Sequence, residues 1–121
     1  METNKKIMIV DDALFMRQQI LKTLNKHGYT NVIQAKNGTE GIAFYTQHKP
    51  DMVLLDITMP DKSGLEVLKE ILHINQEAIV IMCSAVGQEK IISDALRLGA
   101  KDFIVKPYNE NILISMISSL E

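Results

Sequence analysis

Cysteine, tryptophan and long apolar runs are scarce or missing in this sequence. Cys83 is the one cysteine, which excludes an internal disulfide and is typical of a reducing compartment. No apolar stretch approaches the ~20 residues that span a bilayer. Residues 1–6 lead into only a short apolar run, unlike a signal peptide. We therefore expect a cytoplasmic protein that does not enter a membrane.

An excess of charge of one sign is missing as well. Lys plus Arg number 13 and Asp plus Glu number 15, so the formal net charge is −2. Domains that bind nucleic acid present a basic patch or stripe, so we expect no direct nucleic-acid contact. The chain has 121 residues, of which 46% are hydrophobic and 23% charged. This length and balance predict one globular domain, residues 1–121.

Two kinds of apolar segment alternate along the chain. Short apolar runs predict five strands, at residues 6–10, 31–36, 51–56, 78–83 and 102–106. A predicted helix follows each run. The second helix, at residues 38–48, is the weaker prediction, and the other four are marked by apolar residues at helical spacing. The markers of the other four helices are Met16, Ile20, Leu21 and Leu24; Leu65, Leu68, Ile71 and Leu72, after Ser63 as a predicted N-cap; Ile91, Ile92, Ala95 and Leu98; and Ile112, Leu113, Met116, Ile117 and Leu120.

This order of strand and helix, repeated five times, predicts an α/β fold. Continuous apolar strands between helices favour a parallel sheet that is covered on both faces. Right-handed crossovers then restrict the topology to a doubly wound sheet. In such sheets ligands bind at the carboxyl ends of the strands, so polar residues at those ends are the candidates for function.

Charged and hydroxyl side chains follow four of the predicted strands. Asp11 and Asp12 follow the first strand, and Asp56, Ser84 and Lys106 lie at the ends of the third, fourth and fifth. Clustered carboxylates repel one another unless a cation compensates them. An oxygen-rich site with few protein ligands suits Mg²⁺. A cation and a lysine beside a carboxylate are also what phosphoryl transfer requires, so Asp56 is a candidate nucleophile of the aspartyl-phosphate type.

Taken one at a time, these residues have simpler interpretations. Asp11 and Asp12 could cap the first helix, Ser84 could be a loop hydroxyl, and Lys106 could be a solvated charge. Their joint placement at successive strand ends favours a phosphoacceptor site. Cys83, within an apolar strand, is expected to be a small buried hydrophobe.

Four motifs, in order and spread over nearly the whole chain, resemble the receiver domain of response regulators, and in style its CheY-like chemotaxis members. They are "IVDDALFMR", "PDMVLLDITMPDKSG", "CSAVGQ" and "GAKDFIVKP". The resemblance implies a flavodoxin-like (βα)5 sandwich with a five-stranded parallel sheet and helices on both faces. It implies a protein of two-component signalling, and the wording of the motifs favours a single-domain form.

The resemblance assigns a role to each acidic residue. Asp56 would take a phosphoryl group from a histidine kinase or a phosphotransfer protein. Asp11, Asp12, Asp56 and the backbone carbonyl of Thr58 would hold Mg²⁺. Such a domain promotes its own phosphorylation and dephosphorylation and turns over no external substrate, so we expect no enzyme in the usual sense.

The resemblance also implies a switch. Lys106, before a cis peptide bond to Pro107, would contact the phosphoryl group, and Ser84 would bond to a phosphoryl oxygen in the active state. Phe103 stands at the aromatic switch position and has no hydroxyl, so it would act by ring packing alone.

An output face follows from the same comparison. It would be formed by the fourth helix, fifth strand and fifth helix, with Ile91, Ile92 and Phe103 on it. The implied partner there is a downstream effector protein, and the implied oligomeric state is a monomer or a weak phosphorylation-dependent dimer.

Three other functions remain possible from the sequence. The chain could be a receiver cut from a multidomain regulator with a DNA-binding or enzymatic output. It could be a phosphatase of the haloacid-dehalogenase type, although Asp56-Ile57-Thr58 lies on the third strand and has no second Asp. It could also be a receiver without phosphorylation that only binds partners, which the intact acidic set opposes.

Overall fold

A computed structural model of the protein, which describes residues 4–121, contains the five predicted strands and five predicted helices. The strands are β1 (Ile7–Val10), β2 (Val32–Ala35), β3 (Met52–Asp56), β4 (Val80–Ser84) and β5 (Asp102–Val105). The helices are α1 (Leu14–Lys26), α2 (Gly38–His48), α3 (Gly64–Ile74), α4 (Glu89–Leu98) and α5 (Glu110–Ser119). Residues 1–3 of the predicted domain 1–121 lie outside the described residues.

All neighbouring strands are parallel, and the sheet has the order β2-β1-β3-β4-β5. This is the order known for flavodoxin-like folds, in which the sequence doubles back beside β1. The predicted doubly wound parallel sheet is therefore confirmed. No helix among residues 4–121 is long and apolar enough to cross a bilayer.

Strand residues alternate between two apolar clusters, one on each face of the sheet. In β3, Val53 and Leu55 pack with α2, α3 and α4, whereas Met52 and Leu54 pack with α1 and α5. Each fully buried Val, Leu or Ile contributes about 1.5–3 kcal/mol relative to an exposed position. Because both faces are covered, the polar chemistry is left to the strand ends.

The helix boundaries follow local signals. Ser63 caps α3 in a capping box, in which its side chain accepts from Glu66 N–H and the Glu66 side chain accepts from Ser63 N–H. Gly99 ends α4 with φ of +128°, a conformation that non-glycine residues rarely adopt. Two of the apolar residues that marked helices are exposed in the structure, Leu98 by 41% and Ile112 by 57%, although both helices form as predicted.

Candidate functional site

The three aspartates predicted as metal ligands lie together at the carboxyl ends of β1 and β3. Each of Asp11, Asp12 and Asp56 offers a carboxylate oxygen, and these oxygens lie within 4.8 Å of one another. Asp11 and Asp56 are largely buried, whereas Asp12 is exposed to solvent. The cluster therefore opens to water on the side of Asp12, as a small hydrated cation requires.

Lys106 supplies the positive charge next to this cluster. Its Nζ donates a hydrogen bond of 2.9 Å to Asp11 Oδ2 and lies 3.3 Å from Asp56 Oδ1. The lysine follows β5, and Lys106 N–H donates to the Ser84 carbonyl at the end of β4. The bond to Pro107 is cis, as the resemblance to receiver domains implied. One ammonium among three carboxylates leaves two negative charges in this cluster, which a divalent cation would balance.

Burial and neighbouring charges together shift the pKa values of Asp56 and Lys106. Desolvation raises the pKa of Asp56, and the charge of Asp11 adds to the increase, while Lys106 opposes it. Desolvation alone would lower the pKa of Lys106. The hydrogen bond to Asp11 and the charge of Asp56 outweigh it, so that this pKa is raised. Lys106 therefore remains an ammonium at neutral pH.

Ser84 ends β4 as predicted, and its hydroxyl is in an unusual state. The side chain is fully buried, and Ser84 Oγ has no hydrogen-bond partner among the described residues. A buried polar atom without a partner costs about 1–3 kcal/mol. The loop-hydroxyl interpretation is thus wrong, since the residue belongs to the strand and to the interior.

The β3–α3 loop is held close to the end of β3. Thr58 N–H donates to the Asp56 carboxylate, and Gly64 N–H donates to the Ile57 carbonyl over 2.7 Å. A Cβ on Gly64 would lie 2.6 Å from the Asp56 carbonyl oxygen, a backbone atom that cannot give way. Glycine is therefore required where α3 begins against the residue that carries the candidate nucleophile.

The capping interpretation of the first two aspartates is wrong. Ala13 is the N-cap of α1 and makes no side-chain cap bond. Asp11 Oδ1 instead accepts from Ala13 N–H over 2.9 Å, before the helix starts. This contact fixes the Asp11 carboxylate, so that its other oxygen faces Lys106.

Three side chains that support the site were not found from the sequence. Arg17 Nη1 donates to the Asp11 carbonyl over 2.7 Å. The Asp61 carboxylate accepts from the Thr39 hydroxyl and from Gly38 N–H and Thr39 N–H at the start of α2. These bonds, the one from the Thr39 hydroxyl most of all, hold the pKa of Asp61 well below the ordinary value. Gln88 bonds to both neighbouring loops. A lone Arg, Asp or Gln gives no pattern, although all three residues fall inside the quoted motifs.

The residues predicted for the switch and output face lie in two different places. Phe103 is half-buried and, with Ile92, Val86 and Leu96, lines a 480 Å³ cavity between α4 and β5. Ile91 instead lines a cavity of 350 Å³ against the β3–α3 loop, on the other side of α4. Ile91 and Ile92 thus face different cavities, because successive helical residues point about 100° apart, and the place of Ile91 on the output face stays a prediction.

Comparisons with known proteins agree with this geometry. The sequence model of the family described as "Response regulator receiver domain" matches residues 7–118. The chain belongs to that family. It is 47% identical over 113 residues to the chemotaxis protein CheY of Bacillus subtilis, which covers 93% of this chain and 94% of that protein.

Two further receivers place the family in phosphorelay signalling. Sporulation initiation phosphotransferase F of Bacillus subtilis is 37% identical over 106 residues, covering 88% of this chain and 85% of that protein. The CheX-CheY-BeF3-Mg complex from Borrelia burgdorferi contains a chain that is 36% identical, with a TM-score of 0.91, covering 96% of this chain and 88% of that one.

The family membership decides to which class of protein this chain belongs, among the alternative functions that the sequence left open. This receiver domain is a response-regulator module of a phosphorelay, and receivers of the CheY type are not enzymes in the usual sense. Receiver domains bind Mg²⁺ at an acidic pocket, and Asp11, Asp12 and Asp56 form such a pocket here. The match leaves no support for the haloacid-dehalogenase alternative.

Proposed function

We propose that Asp56 is the phosphoacceptor of this receiver and that phosphorylation there changes the surface between α4 and β5. The observation that carries the proposal is the position of the Asp56 carboxylate. It lies at the end of β3 among two other carboxylates and 3.3 Å from Lys106 Nζ. A nucleophilic carboxylate next to a fixed ammonium is the arrangement that in-line phosphoryl transfer needs.

The acidic cluster supports a Mg²⁺ site with Asp11, Asp12, Asp56 and the Thr58 carbonyl as its protein ligands. The donor set fits, because carboxylate and carbonyl oxygens with an exposed side are what this ion prefers. When bound, Mg²⁺ would neutralise charge on the transferring phosphoryl group.

The protein's own groups then perform the transfer. An Asp56 oxygen forms the new P–O bond while the donor's P–N or P–O bond breaks, and the leaving group keeps that electron pair. The Lys106 ammonium stabilises the charge on the phosphoryl oxygens from its position between Asp11 and Asp56. Hydrolysis of the same acyl phosphate would return the carboxylate, so the domain promotes both steps on itself.

The buried Ser84 hydroxyl supports the switch. It lacks a partner among the described residues, so a phosphoryl oxygen on Asp56 would give it one and draw the end of β4 towards the site. Ser84 continues directly into the loop before α4, and Phe103 is the register partner of Met82 on the neighbouring strand. The apolar cavity that Phe103 and Ile92 line is the surface that we expect to change.

The partners follow from this role. The phosphoryl donor would be a histidine kinase or a phosphotransfer protein in the cytoplasm, and the reader would be an effector protein that docks on the α4–β5 surface. We propose residues 1–121 as a single receiver domain. CheY relatives that this chain matches along 94% of their length favour a chemotaxis-type output over a DNA-binding one.

Amide NMR with beryllofluoride, a stable mimic of the phosphoryl group, tests the proposal. We expect amide shifts at residues 56–58, 84–86 and 106 only when Mg²⁺ and beryllofluoride are both present. An Asp56→Asn variant should show none of them. Shifts that persist in that variant, or their absence from the wild type, would overturn the assignment.

A further inference from the structure

Gln88 joins the two loops that border the acidic site. Its Oε1 accepts a hydrogen bond of 2.7 Å from Ala85 N–H, and its Nε2 donates one of 3.0 Å to Thr58 Oγ. Although Gln88 is the residue that precedes α4, its side chain makes no cap bond with that helix. The side chain instead spans from the β4–α4 loop to the β3–α3 loop.

Both ends of this bridge touch residues next to the proposed chemistry. Thr58 N–H donates to the Asp56 carboxylate, so the residue whose hydroxyl accepts from Gln88 is itself bonded to the candidate nucleophile. Ala85 directly follows Ser84, whose buried hydroxyl has no partner among residues 4–121. The bridge therefore connects the loop that follows Asp56 with the peptide unit that must move when Ser84 moves.

We propose that Gln88 is a positioning residue that holds the β4–α4 loop in its resting place, an inference that rests on the proposed function of Asp56. Ser84 and Ala85 share one peptide unit. A movement of that unit towards a phosphoryl oxygen stretches the bond from Ala85 N–H to Gln88. The released N–H becomes a donor for the phosphoryl oxygens, since backbone N–H groups at such turns bind anions. Phosphorylation and Gln88 thus compete for the same loop.

Beryllofluoride affinity at saturating Mg²⁺ measures this competition. A Gln88→Met variant keeps the volume of the side chain and loses both hydrogen bonds. We expect it to bind beryllofluoride about two- to tenfold more tightly than the wild type, the factor for one ordinary net hydrogen bond. The same variant should melt at a lower temperature without ligand, because it has lost two hydrogen bonds. A role in stability alone would lower the melting temperature without raising the affinity for beryllofluoride. Equal or weaker binding would overturn the proposal.

A Thr58→Val variant tests the other end of the bridge. It removes the hydroxyl and leaves the Thr58 backbone groups in place, so we expect a smaller gain in affinity. In the double variant with Gln88→Met, the affinity should be no higher than in Gln88→Met alone, because the bridge is already lost. Additive gains would contradict a bridge between the two residues.

One readout separates this inference from the proposed function. Hydrogen exchange of the Ala85 amide, without metal or beryllofluoride, should be faster in Gln88→Met than in the wild type. Unchanged exchange would overturn the tether itself. Faster exchange in a protein whose wild type does not bind beryllofluoride would instead refute the role of Asp56.

Discussion

Lys106 and Asp11 are joined by a hydrogen bond of 2.9 Å, although β1 and β5 are not neighbours in the sheet. The lysine side chain crosses the ends of β3 and β4 to reach Asp11, and it passes 3.3 Å from Asp56 on the way. The ammonium is thus shared by two carboxylates before any phosphoryl group arrives. A phosphoryl group on Asp56 would offer Lys106 a more strongly charged partner than Asp11.

An Asp56→Asn variant should be more stable than the wild type at neutral pH. Because burial raises the folded-state pKa of Asp56, the unfolded chain ionises first, near pH ~4. The wild type therefore loses stability as pH rises from there through the folded pKa, and Asn has no such loss. Urea unfolding at several pH values measures the difference. The difference in unfolding free energy between the two proteins should approach zero below about pH 4 and reach a plateau at neutral pH. A difference that does not change with pH would contradict this account.

Mg²⁺ should raise the melting temperature of the wild type. Binding to the native state alone stabilises it by RT ln(1 + [L]/Kd), which is about 1 kcal/mol for a weak site at millimolar ion. That corresponds to roughly 3–6 °C for a domain of this size. An Asp12→Ala variant should lose most of this response and be no less stable without metal, since one repelling charge is gone. A Glu77→Ala variant, which removes an exposed carboxylate outside the acidic cluster, is the control. A wild-type melting temperature that ignores Mg²⁺ would count against the site.

A Ser84→Ala variant should separate phosphorylation from the switch. The lost hydroxyl has no partner in the free protein, so stability should stay the same or rise by up to about 1 kcal/mol. In NMR spectra with Mg²⁺ and beryllofluoride, shifts at residues 87–105 should be large in the wild type and much smaller in Ser84→Ala. The exposed Ser115→Ala serves as control and should behave as the wild type does. Equal shifts in all three proteins would show that Ser84 does not carry the signal.

The strand-end residues could be predicted from the sequence, because parallel strands must bring their carboxyl ends to one edge. Asp11, Asp56, Ser84 and Lys106 needed only the strand boundaries and that rule. Helical periodicity was less informative about burial. It shows which side of a helix is apolar but not how many of the residues on that side are buried. Ile112 falls on the predicted stripe of α5, yet nothing packs over it closely enough to bury it.

The contacts that support the site could not be predicted in this way. Gln88 reaches Thr58 across 30 residues and Asp61 reaches Gly38 across 23. Such contacts depend on loop conformations and rotamers that neither spacing nor composition encodes. The missing partner of Ser84 Oγ is likewise a property of the packed interior.

Intact mass spectrometry after incubation with acetyl phosphate and Mg²⁺ tests the central claim, that Asp56 is the phosphoacceptor, most directly. The wild type should gain one adduct of ~80 Da, the mass of one phosphoryl group bound to a carboxylate nucleophile. An Asp51→Asn variant, altered just before the opposite end of the same strand, should gain it as well. Asp56→Asn should gain none, and an adduct of that mass on Asp56→Asn would contradict the account.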